Sequence, residues 1–425
     1  MHRLYRGSSA PVILLLAALF AALPLKAATP EESGFDPRRL QRIDAYLDRM
    51  VAEGHVAGAL IAISRDGMLV HVDTAGFADR EKASVLREDA LFRIYSMTKP
   101  ITTVAALMLV EEGRLRLSDP VSKFLPELAK LRVYVEDGGA PRTEPATREP
   151  SVHDLMRHTA GFTYGFADHP VAATYRALGI APGVAAVSPP GLAPPPRDLA
   201  GFAAVLAQAP LRTQPGGAFS YGVATDLLGR IVEIAAGEPL DRFLQMRIFE
   251  PLGMKDTGFV VAPAARDRLT TLYGKDGLAL TPRDTAENSS FLAAPTFLSG
   301  GAGLVSSTQD YLVFLQMLLN RGEWNGVRLL SPRMVDFLAR NHLPPGTEVS
   351  PGIGFGLGFA VVEDAALSGT LGNDGVLFWS GAAGTLFWID PAEELAVVFM
   401  TQITPAALGP WQRDLRALVY QAMID

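Results

Sequence analysis

The tetrad Ser96-Met97-Thr98-Lys99 sets a hydroxyl and an amine three residues apart. On a helix that spacing puts both on one face, so the amine lies within reach of the hydroxyl. A neutral lysine amine can take the hydroxyl proton, and burial or nearby positive potential favours the neutral form. The start of a helix adds backbone N–H groups and a positive dipole end near a developing oxyanion. The chemistry on offer is attack of Ser96 on a carbonyl, with Lys99 as the base. The pattern needs context, because 20 serines and 7 lysines in 425 residues give roughly 0.3 such matches by chance. A helix-capping Ser96 followed by a solvated Lys99 satisfies the same tetrad. No serine sits in Gly-x-Ser-x-Gly, so the nucleophile elbow of α/β-hydrolases has no support.

Other chemistries find less to work with. The chain has no cysteine, which removes thiol nucleophiles, thiolate metal sites, disulfides and a lipidated cysteine together. Its seven histidines stand at 2, 55, 71, 153, 158, 169 and 342 without His-Glu-x-x-His, and each reads as structural or surface. The glycines at 300–303 lack the wider dinucleotide pattern. Glu111-Glu112 reads as a solvated helix end. A formal charge of −7 gives no basic footprint for nucleic acid. No metal or organic cofactor is implied.

These residues must be held by a scaffold. Apolar residues make up 48% and charged residues 20%, an ordinary globular balance. Residues 1–27 read as a secretory signal. Arg3 and Arg6 precede a 14-residue apolar run at 10–23, too short to span a bilayer, and Pro24 and Ala27-Ala28 follow. A helix is predicted after Asp36-Pro37, with Leu40, Ile43, Leu47, Met50 and Val51 on one face and Gly54 at its end. Strands are expected at 57–64 and 68–75, joined by Arg65-Asp66-Gly67, then a helix over 96–112. From 117 to 283 the readable segments are helical (151–158, 197–207, 221–236 and 239–249). Between them is a loop at 179–196 with six prolines. Strands return at 355–362, 376–379, 385–389 and 395–401, and a helix over 412–423 closes the chain. The economical architecture is an α/β (α+β) sheet domain made from residues 28–116 and 284–425, interrupted by a mainly helical domain at 117–283. The crevice between them is the default site.

The tetrad's surroundings carry more. Arg93-Ile94-Tyr95-Ser96-Met97-Thr98-Lys99-Pro100 resembles the active-site helix start of the serine β-lactamase-related family, which includes class C β-lactamases, D,D-peptidases and family VIII carboxylesterases. The resemblance continues through Glu112-Gly113-Arg114-Leu115, Leu117-Ser118-Asp119-Pro120-Val121 and His158-Thr159-Ala160-Gly161. It goes on through Pro215-Gly216, Ser220-Tyr221, Asp226-Leu227-Leu228-Gly229-Arg230, Phe249-Glu250-Pro251-Leu252-Gly253-Met254 and Gly300-Gly301-Ala302-Gly303. It covers nearly the whole chain beyond residue 28. It implies an antiparallel five-stranded sheet flanked by the N- and C-terminal helices, with the helical domain inserted. It implies Ser96 and Lys99 as catalytic pair, and Tyr221 as the proton relay facing them. Without the resemblance, Tyr221 reads as a half-buried aromatic. The family's Lys-Thr-Gly strand motif corresponds here to Trp379-Ser380-Gly381-Ala382, where Trp379 also fits an ordinary strand aromatic. The resemblance implies an oxyanion hole from the N–H groups of Ser96 and Ala382.

Two departures bear on substrate. The β-lactamase Tyr-x-Asn is Tyr221-Gly222-Val223, and the lysine of Lys-Thr-Gly is Trp379. An amide for an acylamino group and a cation for a carboxylate are both replaced by apolar side chains. Trp379-Ser380-Gly381 resembles the family VIII esterases. The expectation is therefore a secreted or periplasmic carboxylesterase for small neutral esters, with Val223, Trp379, Ser380, Gly381 and Ala382 binding the substrate. A β-lactamase, a D,D-peptidase or amidase, an acyltransferase and an acylated sensor without turnover are the alternatives. No nucleic acid and no stable membrane span are expected. Oligomeric state is not encoded in these patterns.

Overall fold

The computed structural model describes residues 25–136, 142–180, 195–277, 279–406 and 408–424. Most of the leader, residues 1–24, and residues 181–194 of the proline-rich loop lie outside them. Five antiparallel strands form the body of the main sheet, in the order Met68–Asp79, Gly58–Arg65, Leu395–Thr401, Leu386–Asp390 and Leu377–Ser380. The sheet is larger than the five strands expected, with nine among the described residues. Ala360–Val362 and Ile353–Phe355 extend it at one edge. Lys26–Ala27, parallel to Met68–Leu69, and Ser84–Val85 extend the other. The single strand expected over 355–362 is thus a tight hairpin. Gly356-Leu357-Gly358 breaks the run, and Gly358 sits at φ +83°, where a side chain would be strained.

The central strands Gly58–Arg65 and Leu395–Thr401 are buried on both faces, which explains their near-continuous apolar runs. Ala59, Ile61 and Ile63 face the N-terminal helix Pro37–Ala52 and the C-terminal helix Leu408–Tyr420. Leu60 and Ala62 face the opposite way, toward the helices Thr98–Glu111 and Thr308–Leu319. Asp36 caps the N-terminal helix by accepting from the N–H groups of Arg38 and Arg39, and Pro37 fits its first turn. The predicted turn between the first two strands is present, with Asp66 and Gly67 at φ +53° and +72°.

The helix Thr98–Glu111 is buried almost all round, as a helix without a polar face must be. On one side lies the sheet. On the other lie helices of the middle segment, among them Val152–Met156 and Ala224–Ala236. Leu155, Leu227 and Ile231 belong to the same apolar core as Ile101, Leu312 and Leu60. Each fully buried side chain of this size contributes about 1.5–3 kcal/mol, so the position of Ser96 is fixed by packing from both sides. Four small sheets among the described residues were not foreseen, and two of them draw on the middle segment. Arg132–Val135 pairs with Arg142–Pro145. Leu272–Asp276 pairs with both Ala279–Asp284 and Ile403–Thr404.

Candidate active site

The strand Leu91–Arg93 pairs with Val305–Ser307 and ends on a hydrogen bond from the Ile94 N–H to the Leu304 carbonyl. The chain then turns sharply through Tyr95, at φ +41°. A bulky residue rarely adopts that conformation, which costs on the order of 1–3 kcal/mol. A single helical turn, Tyr95–Met97, leads into Thr98–Glu111. The Tyr311 hydroxyl donates to the Met97 carbonyl at 2.9 Å, and the Leu304 N–H to the Thr98 hydroxyl at 3.2 Å. The strained turn presents Ser96 at the floor of a cleft of about 380 Å³.

Lys99 is buried, with 1% of its surface exposed, so a solvated lysine does not describe it. Its Nζ lies 3.1 Å from Ser96 Oγ, 3.0 Å from the Tyr164 hydroxyl and 2.7 Å from the Gly301 carbonyl. It also sits over the Tyr221 ring, 4.9 Å from the centroid. A neutral amine has two hydrogens and one lone pair. The Gly301 carbonyl can only accept and takes one hydrogen. One of the two hydroxyls must then donate to the lone pair. When Ser96 is that donor, the arrangement is a nucleophile hydrogen-bonded to its base.

Gly301 is fixed in turn. Its N–H donates to Asp226 at 3.0 Å, and the Ser299 hydroxyl donates to the same carboxylate oxygen at 2.6 Å. Burial pushes the Asp226 carboxyl up, against the pull of Lys99 and of these two donors. Tyr164 is buried, and burial, Tyr221 and Asp226 raise its hydroxyl well above the ordinary phenol value. It therefore stays protonated and can donate as well as accept. The Tyr164 ring meets that of Tyr221 edge-on, 5.4 Å away at 67°, and Trp379 Nε1 donates to the Tyr221 hydroxyl at 3.4 Å. Ser96, Lys99 and Tyr164 are thus hydrogen-bonded together, and Tyr221, bonded to Trp379, packs against Lys99 and Tyr164 through its ring. Behind Tyr221, the buried ring of His158 packs at 4.8 Å. Burial, with Lys99 nearby, pushes that imidazole far down, so it is neutral.

The opposite wall is the end of the strand Leu377–Ser380. The Gly381 N–H donates to the Thr385 carbonyl at 2.8 Å. A Cβ on Gly381 would collide with the Ile94 carbonyl and the Thr385 hydroxyl, so only glycine lets this strand end lie against the turn that carries Ser96. Trp379, Ser380, Gly381 and Ala382 all line the cleft with Ser96 and Tyr221. Val223 does not. It is 1% exposed, packed in the core just before the helix Ala224–Ala236. Tyr164, Asp226 and Gly301 are the site residues to which sequence reasoning assigned no role. Asp226 and Gly301 fall inside recognised motifs, whereas Tyr164 has no local signal. Among the described residues there is no group of three or more His, Asp or Glu side chains arranged to hold a metal. No described helix is long and apolar enough to cross a membrane.

The beta-lactamase family model matches residues 43–421. Esterase EstB of Burkholderia gladioli is 33% identical over 401 residues, covering 89% of this chain and 94% of that protein. Protein Rv1367c of Mycobacterium tuberculosis is 36% identical over 366 residues, covering 83% and 87%. Among solved structures, EstCE1, described as a hydrolase with promiscuous acyltransferase activity, superposes with a TM-score of 0.77 at 30% identity, covering 92% of this chain and 99% of that one.

Proposed function

The chain belongs to the beta-lactamase family of serine hydrolases, and we propose that it is a carboxylesterase for small neutral esters that works through an acyl-Ser96 intermediate. Ser96 Oγ bonds to the ester carbonyl carbon while its proton passes to Lys99 Nζ. The N–H groups of Ser96 and Ala382 hold the oxyanion. Collapse of the tetrahedral species breaks the bond to the alcohol oxygen, which takes the proton back from Lys99 with Tyr221 as relay. Water then attacks the acyl-enzyme by the same route and releases the acid.

One observation carries the choice of substrate. Among the described residues, the cleft around Ser96 has no charged side chain in its lining. A β-lactam or a peptide C-terminus brings a carboxylate, and the position that would meet it is held by Trp379. Leaving that carboxylate without a cation in an apolar cleft costs several kcal/mol. The test is a p-nitrophenyl ester series from acetate to decanoate, run beside nitrocefin and a D-Ala-D-Ala peptide. The reading expects kcat/KM for the best ester to exceed that for nitrocefin by at least ~10²-fold. Equal rates on nitrocefin would overturn it.

Export is the second part of the proposal. Residues 1–27 carry the features of a secretory signal. Leu25 is buried and Lys26–Ala27 pairs with Met68–Leu69, so cleavage after Ala27 would also remove this short edge strand. N-terminal sequencing of protein recovered from a periplasmic or culture fraction should begin at Ala28. Full-length protein confined to the cytoplasm would contradict export.

A further inference from the structure

We propose that the cleft selects esters carrying an aromatic ring, which stacks face to face on Phe166. The proposal rests on the esterase reading and names its substrate class.

Phe166 lines the cleft, yet it is 65% exposed. A large apolar ring left open at the lip of a cavity is the kind of surface a ligand covers. Its orientation is not arbitrary. The ring lies nearly parallel to that of Tyr164, 4.8 Å away at 14°. Tyr164 is buried and tied to Lys99 Nζ at 3.0 Å. The plane of the exposed ring is therefore set by a residue anchored to the base beside the nucleophile.

The other aromatic walls offer less. Tyr221 meets Tyr164 at 67° and Trp379 at 62°, and Lys99 Nζ lies over its ring. Trp379 meets Phe355 edge-on at 86°. Phe166 has one described ring partner, on one side, and an aryl group entering the cleft can continue that stack on the other. Leu272 and Leu408 line the same cleft and add apolar surface that favours any ring, flat or puckered.

That distinction sets the experiment. A cyclohexyl ring has comparable apolar surface but no flat face and no quadrupole, so hydrophobic burial cancels in a matched pair. Methyl phenylacetate is compared with methyl cyclohexylacetate, and benzyl acetate with cyclohexylmethyl acetate, by pH-stat titration. The wild type should prefer the aromatic member of at least one pair by about 2- to 13-fold in kcat/KM, the range that stacking supplies. Phe166→Leu should bring that ratio close to one, mainly by raising KM for the aromatic ester. Phe166→Tyr, which keeps the flat face, should retain the preference. Equal rates within both pairs in the wild type would overturn the proposal, and so would a preference that survives in Phe166→Leu. Methyl butyrate separates the two levels. Hydrolysis of it without aromatic preference overturns only the stacking, whereas failure on every ester, methyl butyrate included, overturns the esterase reading beneath it.

Discussion

At Lys99, the number of hydrogens on one buried amine decides the chemistry. The Gly301 carbonyl at 2.7 Å accepts one of them, so when the amine gives up its proton the freed lone pair is directed toward a hydroxyl. Ser96→Ala and Lys99→Ala should each lower kcat by at least ~10³-fold, and the double variant should be little worse than either, because the two act as one unit. Additive losses in single-turnover kinetics would argue against a shared role. The two tyrosines should separate. Tyr221→Phe is expected to lower kcat by at least ~10²-fold with little change in stability, the size typical of lost acid–base catalysis. Tyr164→Phe leaves a buried Lys99 contact without a partner, so it should lower the thermal midpoint as well as kcat, at a cost of about 1–3 kcal/mol. A Tyr164→Phe protein with unchanged melting would make that contact dispensable. The Ser96–Lys99 pair was legible because its spacing is short and local, whereas Tyr221 stood out only through the family resemblance. Tyr164 was not legible, because its partner lies 65 residues away in sequence. Val223 shows the converse: its neighbourhood to Tyr221 in sequence suggested a substrate contact, but the start of the helix Ala224–Ala236 turns it into the core.

Elements reach the site through close backbone approach. Gly222 follows Tyr221, and a Cβ there would lie 2.5 Å from Thr163 Cα and 2.7 Å from its neighbouring backbone atoms. This contact lets the Tyr221 segment lie against the one that carries Tyr164. Gly222→Ala must push two backbones apart. It should cost about 1–3 kcal/mol as overpacking does and reduce kcat, because Tyr221 is drawn away from Tyr164 and Lys99. Gly258 is a fair control, since a Cβ there meets nothing closer than 3.8 Å. Gly258→Ala should leave both the melting midpoint and kcat nearly unchanged. Equal behaviour of the two variants by calorimetry and kinetics would contradict the packing argument. The long apolar strands were readable from composition alone, as was the Asp36-capped helix. The hairpin Ile353–Phe355/Ala360–Val362 and the polar pair Arg132–Val135/Arg142–Pro145 were not. Their strands are three or four residues long, too short to show a period.

Over the whole molecule, one apolar core joins the middle helices to the sheet, and charged groups at its margin govern its response to acid. Burial, the Arg157 guanidinium and His342 push the His153 imidazole down to about 4. His342 Nε2 donates to the Phe337 carbonyl at 2.8 Å, so its Nδ1 accepts from His153 Nε2 at 3.0 Å, and neither ring need be charged. A base depressed in the folded state is protonated first in the unfolded chain. Stability is therefore lost as pH falls from about 6.5 towards about 4, and is constant above that window. Asp154 acts lower. Burial would raise its carboxyl, but hydrogen bonds from Arg148, the Ser151 N–H, Arg157 and Thr159 outweigh it and hold the group well below the usual range. Its contribution is full above the unfolded value near 4 and is lost as pH falls through the folded one. Urea midpoints should thus decline in two stages. His153→Gln should make the upper stage shallower without abolishing it, because buried His158 is also held down and contributes over the same window. Asp154→Asn should remove the lower one and cost about 3 kcal/mol at neutral pH, because it neutralises a buried carboxylate that both Arg148 and Arg157 pair with. A midpoint constant from pH 7 to pH 4.5 would contradict the histidine account. Neither the shared core nor the His153–His342 contact is visible in sequence, since both join residues far apart in the chain.

The central claim is that Ser96 carries the acyl group. The most direct measurement is rapid acid quench of the enzyme during turnover of p-nitrophenyl butyrate, followed by intact-mass and peptide mass spectrometry. The account predicts a single butyryl adduct on the peptide containing Ser96, absent from Ser96→Ala and longer-lived in Tyr221→Phe. An adduct on another residue, or continued turnover by Ser96→Ala, would contradict it.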